Sequence, residues 1–219
     1  MEIKIADDLK DIYPKIKIAF LEVRNVANKK SDGKLEEEKR KLEDFIRKNY
    51  MNIKQFEIIK SYNNFFKKYN KEYPIQFQIE SIIKGGGIPS VSCIVEAMFL
   101  AELKNMFLTA GHDLDSIKGS LKTKRSYGRE SYLKINNSEQ RLKMEDIFTE
   151  DSEGIISSVL YGPDYRTRIS EHTKNCLFFS YFPFGAEDEQ VKSHFIDIIN
   201  NLKIFCEDVE ATNIGILRL

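Results

Sequence analysis

Apolar residues recur along this chain in two periods, and the change from one to the other marks its elements. β-Branched and aromatic residues dominate Glu2–Ala6 and Ile16–Arg24, which predicts two N-terminal strands. The spacing then lengthens to three and four. Lys34–Tyr50 puts Leu35, Leu42, Phe45 and Ile46 on one side, and Ile53–Tyr69 repeats the scheme with Phe56, Ile59, Phe65 and Phe66, predicting two helices parted at Asn49–Asn52. A third helix follows Gly85–Gly87, with Ile94, Val95, Met98, Phe99, Leu103, Met106 and Phe107 in phase and Ser90 at the expected N-cap. From Gly119 the pattern is strand-like, over Ser120–Lys124, Glu130–Lys134, Asp146–Phe148, Ile155–Tyr161 and Asn175–Tyr181. An amphipathic helix over Gln190–Cys206 and a strand over Asn213–Leu219 end the pattern. Strands segregated from helices, without regular βαβ alternation, imply an α+β fold rather than a doubly wound sheet. No repeat or linker divides the chain, so one domain over 1–219 is expected: helical at about 30–110, strand-rich at about 119–182, and closed by the helix and strand of 187–219.

Composition narrows the function classes. A length of 219 residues at 42% hydrophobic content suits one large globular domain or two small ones, of which one is favoured. No run approaches the roughly 18 to 20 apolar residues of a bilayer span, and MEIKIADDLKD carries charge where a signal peptide is apolar, so a cytoplasmic protein with no membrane partner is expected. Cys93, Cys176 and Cys206 are too few and too scattered for a disulfide framework or a CxxC metal knuckle, which fits reduced thiols and no metal. Net charge is zero, yet its sign segregates. Residues 29–71 hold 13 Lys and Arg against 7 Asp and Glu, 117–143 hold 8 against 2, and 144–210 hold 5 against 14. The basic stretches either share a face that meets a polyanion or are solvated helix faces.

Three short segments carry candidate chemistry. Gly85–Gly87 with Ser90 offers amides at a helix start that can receive a carboxylate or phosphate, here through Gly86, Gly87 and Ser90. It lacks the lysine of a P-loop and the preceding strand of a dinucleotide fingerprint, which argues against nucleotide hydrolysis and hydride transfer, and no cofactor is expected. His112, in the acidic turn Gly111–Asp115, either orients water or merely satisfies backbone groups beside Asp113, itself a cap for a short helix from Leu114. Asp164, Arg166 and Thr167 gather carboxylate, guanidinium and hydroxyl after Gly162-Pro163; they bind a charged ligand end, or Arg166 forms an internal ion pair. Thr173 is a pocket hydroxyl or a strand-start residue. Arg24 and Glu22 close the second strand as ligand contacts or as a cross-strand pair. His172 and His194 rank lower, in a polar turn and on an expected exposed helix face.

KGGGIPS and GHDLDSIKG, with YPKIKIAFLEVRNV, YGPDYRTRIS and EHTKNCLFFSY, in this order across about 170 residues, resemble the B3/B4 domain of the phenylalanyl-tRNA synthetase β subunit and its free-standing relatives. The resemblance implies a layered α+β fold with a β-sandwich-like core, outer helices and a cleft between layers. In the synthetase the domain hydrolyses tyrosine wrongly attached to phenylalanine tRNA, a second sieve for an amino acid the first pocket cannot reject. The implied partners are the aminoacylated 3′ end of tRNA, a free aromatic amino acid or a synthetase, with no DNA expected. The implied site takes His112 and Asp164 as catalytic groups, with Arg166, Thr167, Thr173, Gly86, Gly87, Ser90 and Arg24 binding substrate. Its Asp164, Arg166 and Thr167 stand where free-standing relatives carry a DxxRT-like pattern. Departures from the synthetase pattern are specific. Its Thr-Asn pair is replaced by Met98 and Phe99, and its histidine falls near Ala110. A non-catalytic binding module is therefore the alternative to an editing hydrolase. For either, the three segments are expected to converge on one hollow.

Overall fold

The computed structural model describes residues 1–219. Strands β1 (Ile3–Ile5) and β2 (Lys17–Arg24) precede helices α1 (Gly33–Asn49), α2 (Glu57–Lys67), α3 (Pro74–Ile83) and α4 (Cys93–Asn105). Then come β3 (Thr109–Asp113), β4 (Leu121–Tyr127), β5 (Ser131–Leu133), β6 (Glu139–Arg141), β7 (Met144–Glu150), β8 (Ile155–Ser158), β9 (Gly162–Pro163) and β10 (Cys176–Phe182). Helix α5 (Asp188–Lys203) and strand β11 (Glu210–Arg218) complete the order. The fold class is α+β, as the segregated pattern implied.

Two sheets organise the core, one in the order β1-β4-β7-β8-β9 and one in the order β11-β2-β10-β3. Only β1 and β4 pair parallel in them. Every residue of β10 is buried, as expected of a central strand covered on both faces. Tyr181 of β10 crosses between the sheets, its hydroxyl 2.6 Å from Ser157 Oγ on β8 and donating to Thr149 Oγ1 on β7 at 2.8 Å. On the other face the helices cover β10, and Tyr62 of α2 donates to the Tyr181 carbonyl at 2.9 Å. The main core is one cluster of 51 buried residues.

Several elements depart from the sequence pattern, each for a local reason. Ile53–Tyr69 splits into a 3-10 turn at Ile53–Gln55 and α2, because Phe56 is extended between them. Helix α3 escaped the periodicity, although Pro74 at its first turn, where the missing N–H is no loss, is a start signal. The cap of α4 is Ser92, not Ser90, and Ser90 Oγ instead receives the Lys39 ammonium at 2.8 Å. His112 lies in strand β3 rather than in a turn; the turn begins at Asp113, whose side chain accepts from Asp115 N at 3.0 Å. His194 is fully buried against Thr109 instead of exposed, with Nε2 2.8 Å from the hydroxyl. Strand β11 starts earlier than expected, through a bulge between Ala211 and Asn213. No helix is long and apolar enough to cross a membrane. Cys93, Cys176 and Cys206 are free and buried.

Candidate functional site

One large cleft, of about 1110 Å³, runs along α4 between β3 and the β8–β9 corner. Helical spacing builds its floor: Ser92, Val95, Met98, Phe99 and Glu102 recur at three and four residues and so share one face. Leu108 with Thr109–Gly111 of β3, and Ser158–Pro163, supply the walls, and Ile169 with Ile75 extends the apolar lining. Gly111 admits this packing, since a Cβ there would stand 2.7 Å from Ile169 Cδ1 and 3.2 Å from Met98 Sδ. Lys29, Lys30, Lys71 and Lys134 line the same cleft from different segments. Lys71 Nζ lies 4.2 Å from the Tyr161 ring centre, a cation–π contact, and partial burial lowers its pKa.

Glu102 is the charged residue in this floor. It is 2% exposed, and its Oε1 accepts from the Thr109 amide at 2.6 Å. Burial pushes its pKa up to about 8, against the pull of that amide. Behind the opposite wall, Asp146 accepts from Leu160 N at 3.3 Å while Oδ2 has no partner, and burial pushes its pKa up to about 7.

Most of the site residues read from the sequence fall into two groups, and neither lines the cleft, whereas His172, ranked lower, does line it. His112, Asp164 and Thr167 meet beneath it. The Thr167 hydroxyl donates to Asp164 Oδ1, so the His112 ring proton sits on Nδ1 and is donated to Thr167 Oγ1 at 2.8 Å. Nε2 is then a buried lone pair without a partner, and desolvation pushes the ring pKa down to about 3. Burial also raises the Asp164 pKa. His112 is 0% and Asp164 4% exposed, and both lie beneath the hollow that they were expected to line. Arg166 makes the internal pair: Nη2 donates to Asp151 Oδ1 at 2.8 Å and Nη1 to the Ser116 carbonyl at 2.8 Å. Thr173 donates to Asp113 Oδ2 at 2.7 Å and accepts from Ser170 N, tying the loop to β3.

The second group packs on α1, away from the first. Arg47 donates to the Gly86 carbonyl at 3.1 Å, Gln78 to that of Gly87 at 3.2 Å, and Glu43 accepts from Ile88 N at 2.7 Å. Of the three glycines only Gly85 has positive φ, at 97°. Gly86 is needed for room, because a Cβ would stand 2.6 Å from Ser81 Oγ. Gly86, Gly87 and Ser90 thus form a helix-packing turn, and of the three segments expected to converge only those of His112 and Asp164–Thr167 meet each other. Arg24 is exposed at the end of β2 opposite Glu210, and Glu22 lies 3.9 Å from the N-terminal amine, so the two do not pair with each other.

Sequence reasoning passed over Glu102, Lys71, Lys134 and Ile169. Only Glu102 carried a signal: it is a charge in phase with the apolar Val95, Met98 and Phe99 on one face of the helix.

No curated protein matches this chain. Among solved structures it is similar to an N-terminal fragment of the phenylalanyl-tRNA synthetase β subunit from Pyrococcus horikoshii, at 14% identity and a TM-score of 0.50. The alignment covers 93% of this chain and 48% of the fragment, so the chain spans about half the fragment's length and the likeness is one of fold. The B3/4 domain family matches residues 60–194, a stretch containing α3, α4, β3 and both walls of the cleft. With well over half its length matched and the fold shared, the chain belongs to the B3/4 domain family.

Proposed function

We propose that this protein is a binding module for the aminoacylated 3′ end of a tRNA, with an aromatic aminoacyl group in the cleft. The observation that carries this reading is the cleft's composition: an apolar floor of Val95, Met98 and Phe99 with Lys29, Lys30, Lys71 and Lys134 around it. An aromatic ring gains from such a floor, and lysines near its mouth neutralise terminal phosphates. Hydrolysis of a mischarged aromatic ester is the finer activity the family resemblance suggests. It would run on groups other than His112 and Asp164, which lie outside the cleft, and on the terminal ribose hydroxyl. Binding therefore takes precedence.

Fluorescence anisotropy with a labelled acceptor-stem RNA tests the reading. Affinity falls with salt, and replacing Lys29 and Lys30 with alanine lowers the steepness of the log–log salt plot by about 1.4, the share of two single-strand phosphate contacts. An unchanged slope removes the lysines from the RNA contact, and no binding at low salt removes the reading. A parallel deacylation assay on tyrosine-charged phenylalanine tRNA decides the finer activity; release at the buffer rate excludes it.

A further inference from the structure

Glu102 is costly where it stands. Its neighbours supply no cation: Tyr62 of α2 and Tyr73 before α3 lie close enough to feel its charge, and both are buried phenols. From α5, His194 lies against Thr109 and Asn105 and makes no hydrogen bond to the carboxyl, and burial holds that ring neutral with its pKa pushed down to about 4. The Thr109 amide is the sole hydrogen-bond donor to the carboxyl, and it engages Oε1; no side chain or amide engages Oε2. A buried acid with one oxygen unengaged, in the lining of an apolar cleft, is a group prepared for a ligand that brings its own charge.

We propose that Glu102 reads a primary ammonium on an apolar body, the α-amino group of an aromatic amino acid or its ester, with Oε2 accepting from the ammonium while Oε1 keeps the Thr109 amide. This rests on the reading of the cleft as an aromatic aminoacyl site and adds the group that recognises the amine. A cation is favoured over a hydroxyl because it offsets the desolvation of the carboxylate and makes a charge-assisted hydrogen bond, whereas a hydroxyl leaves the carboxyl's charge uncompensated. Phe99 and Met98, one turn earlier on the same face, place the apolar body beside the acid.

Isothermal calorimetry on the full chain at pH 7 tests this with two matched pairs that differ only in the amine. They are phenylalanine against 3-phenylpropionate, and phenylalanine methyl ester against methyl 3-phenylpropionate. The amine of each pair binds at least about tenfold more tightly, the range of a hydrogen bond to a charged group. Phenylalanine binding releases close to one proton, read from the dependence of the heat on buffer ionisation enthalpy, because the buried acid is mostly protonated at pH 7. Glu102→Gln keeps an acceptor for Thr109; it weakens both amines about tenfold to a hundredfold, abolishes the proton release and leaves the amine-free partners unchanged. Equal binding within each pair, or unchanged amine binding by the variant, overturns the proposal. If the acceptor-stem RNA still binds in that case, the functional reading stands without it; if the RNA and all four compounds fail on the wild type, both fall.

Discussion

Replacing His112 with asparagine changes the response of stability to acid more than stability at neutral pH. The ring is buried, with Nδ1 2.8 Å from Thr167 Oγ1 and Nε2 unpartnered, and its pKa is pushed down to about 3. In the unfolded chain the same ring takes up a proton near pH 6.5, so from there down to about pH 3 acid favours the unfolded state by about 1.4 kcal/mol per pH unit. His194, pushed down to about 4, adds a second slope of that sign. Glu102 and Asp146 oppose them: their pKa values are raised to about 8 and about 7, so they hold protons in the fold that the unfolded chain has lost. For these two carboxyls, acid favours the fold down to about pH 4.5 and alkali weakens it. Between about pH 6.5 and 4.5 the two histidines and two carboxyls offset one another, and their joint contribution is level. His112→Asn removes one slope and keeps an N–H donor for Thr167, so over those two pH units the variant gains about 3 kcal/mol relative to wild type. The smaller side chain adds an offset that does not vary with pH. Urea unfolding followed by circular dichroism at pH 4.5, 5.5, 6.5 and 7.5 measures the difference. Parallel curves for the two proteins would refute the reasoning, since they would mean the folded ring titrates as the unfolded one does.

Two further outcomes follow from the geometry. Lys39→Met leaves Glu96, 0% exposed and 3.1 Å from the lost ammonium, as an uncompensated buried charge; urea unfolding at pH 7 registers a loss of about 3–5 kcal/mol, and a loss under about 1 kcal/mol contradicts the pairing. Phe99→Asp puts a charge in the cleft floor at a half-buried position, so phenylalanine affinity by calorimetry drops at least about tenfold while the unfolding midpoint changes little; retained affinity would place the aromatic group elsewhere.

Periodicity carried the architecture far. The helices at Lys34–Tyr50 and Gln190–Cys206 stand within a few residues of their expected bounds because each buries one face, and the strand at Ile16–Arg24 does so because its β-branched and aromatic run suits a strand buried on both faces. The pattern was weaker for a helix buried nearly all round and for a short strand of small residues. Helix α4 is buried nearly all round, so its cap was misplaced from Ser92 to Ser90. Strand β3 holds two alanine- and glycine-sized residues beside His112, too small to show alternation, and read as a turn.

The candidate site divides in the same way. Spacing along one helix was enough to line up Val95, Met98 and Phe99, and local loop chemistry was enough to group Asp164, Arg166 and Thr167. Whether those groups faced solvent was a question of register and layering. Pairing β3 with β10 and bridging His112 to Arg168 turned the ring under the sheet, and packing Gly86 and Gly87 on α1 took the glycine turn away from it. Lys29, Lys71, Lys134 and Ile169 come from four distant segments that share no local pattern, so only closure of the fold brought them to one cleft. Local sequence set which faces are apolar because helix and strand periods are short-range. The tertiary structure decided which polar groups meet a ligand, because that depends on contacts between residues far apart in the chain, such as Asn28 with Ser170, 142 positions away.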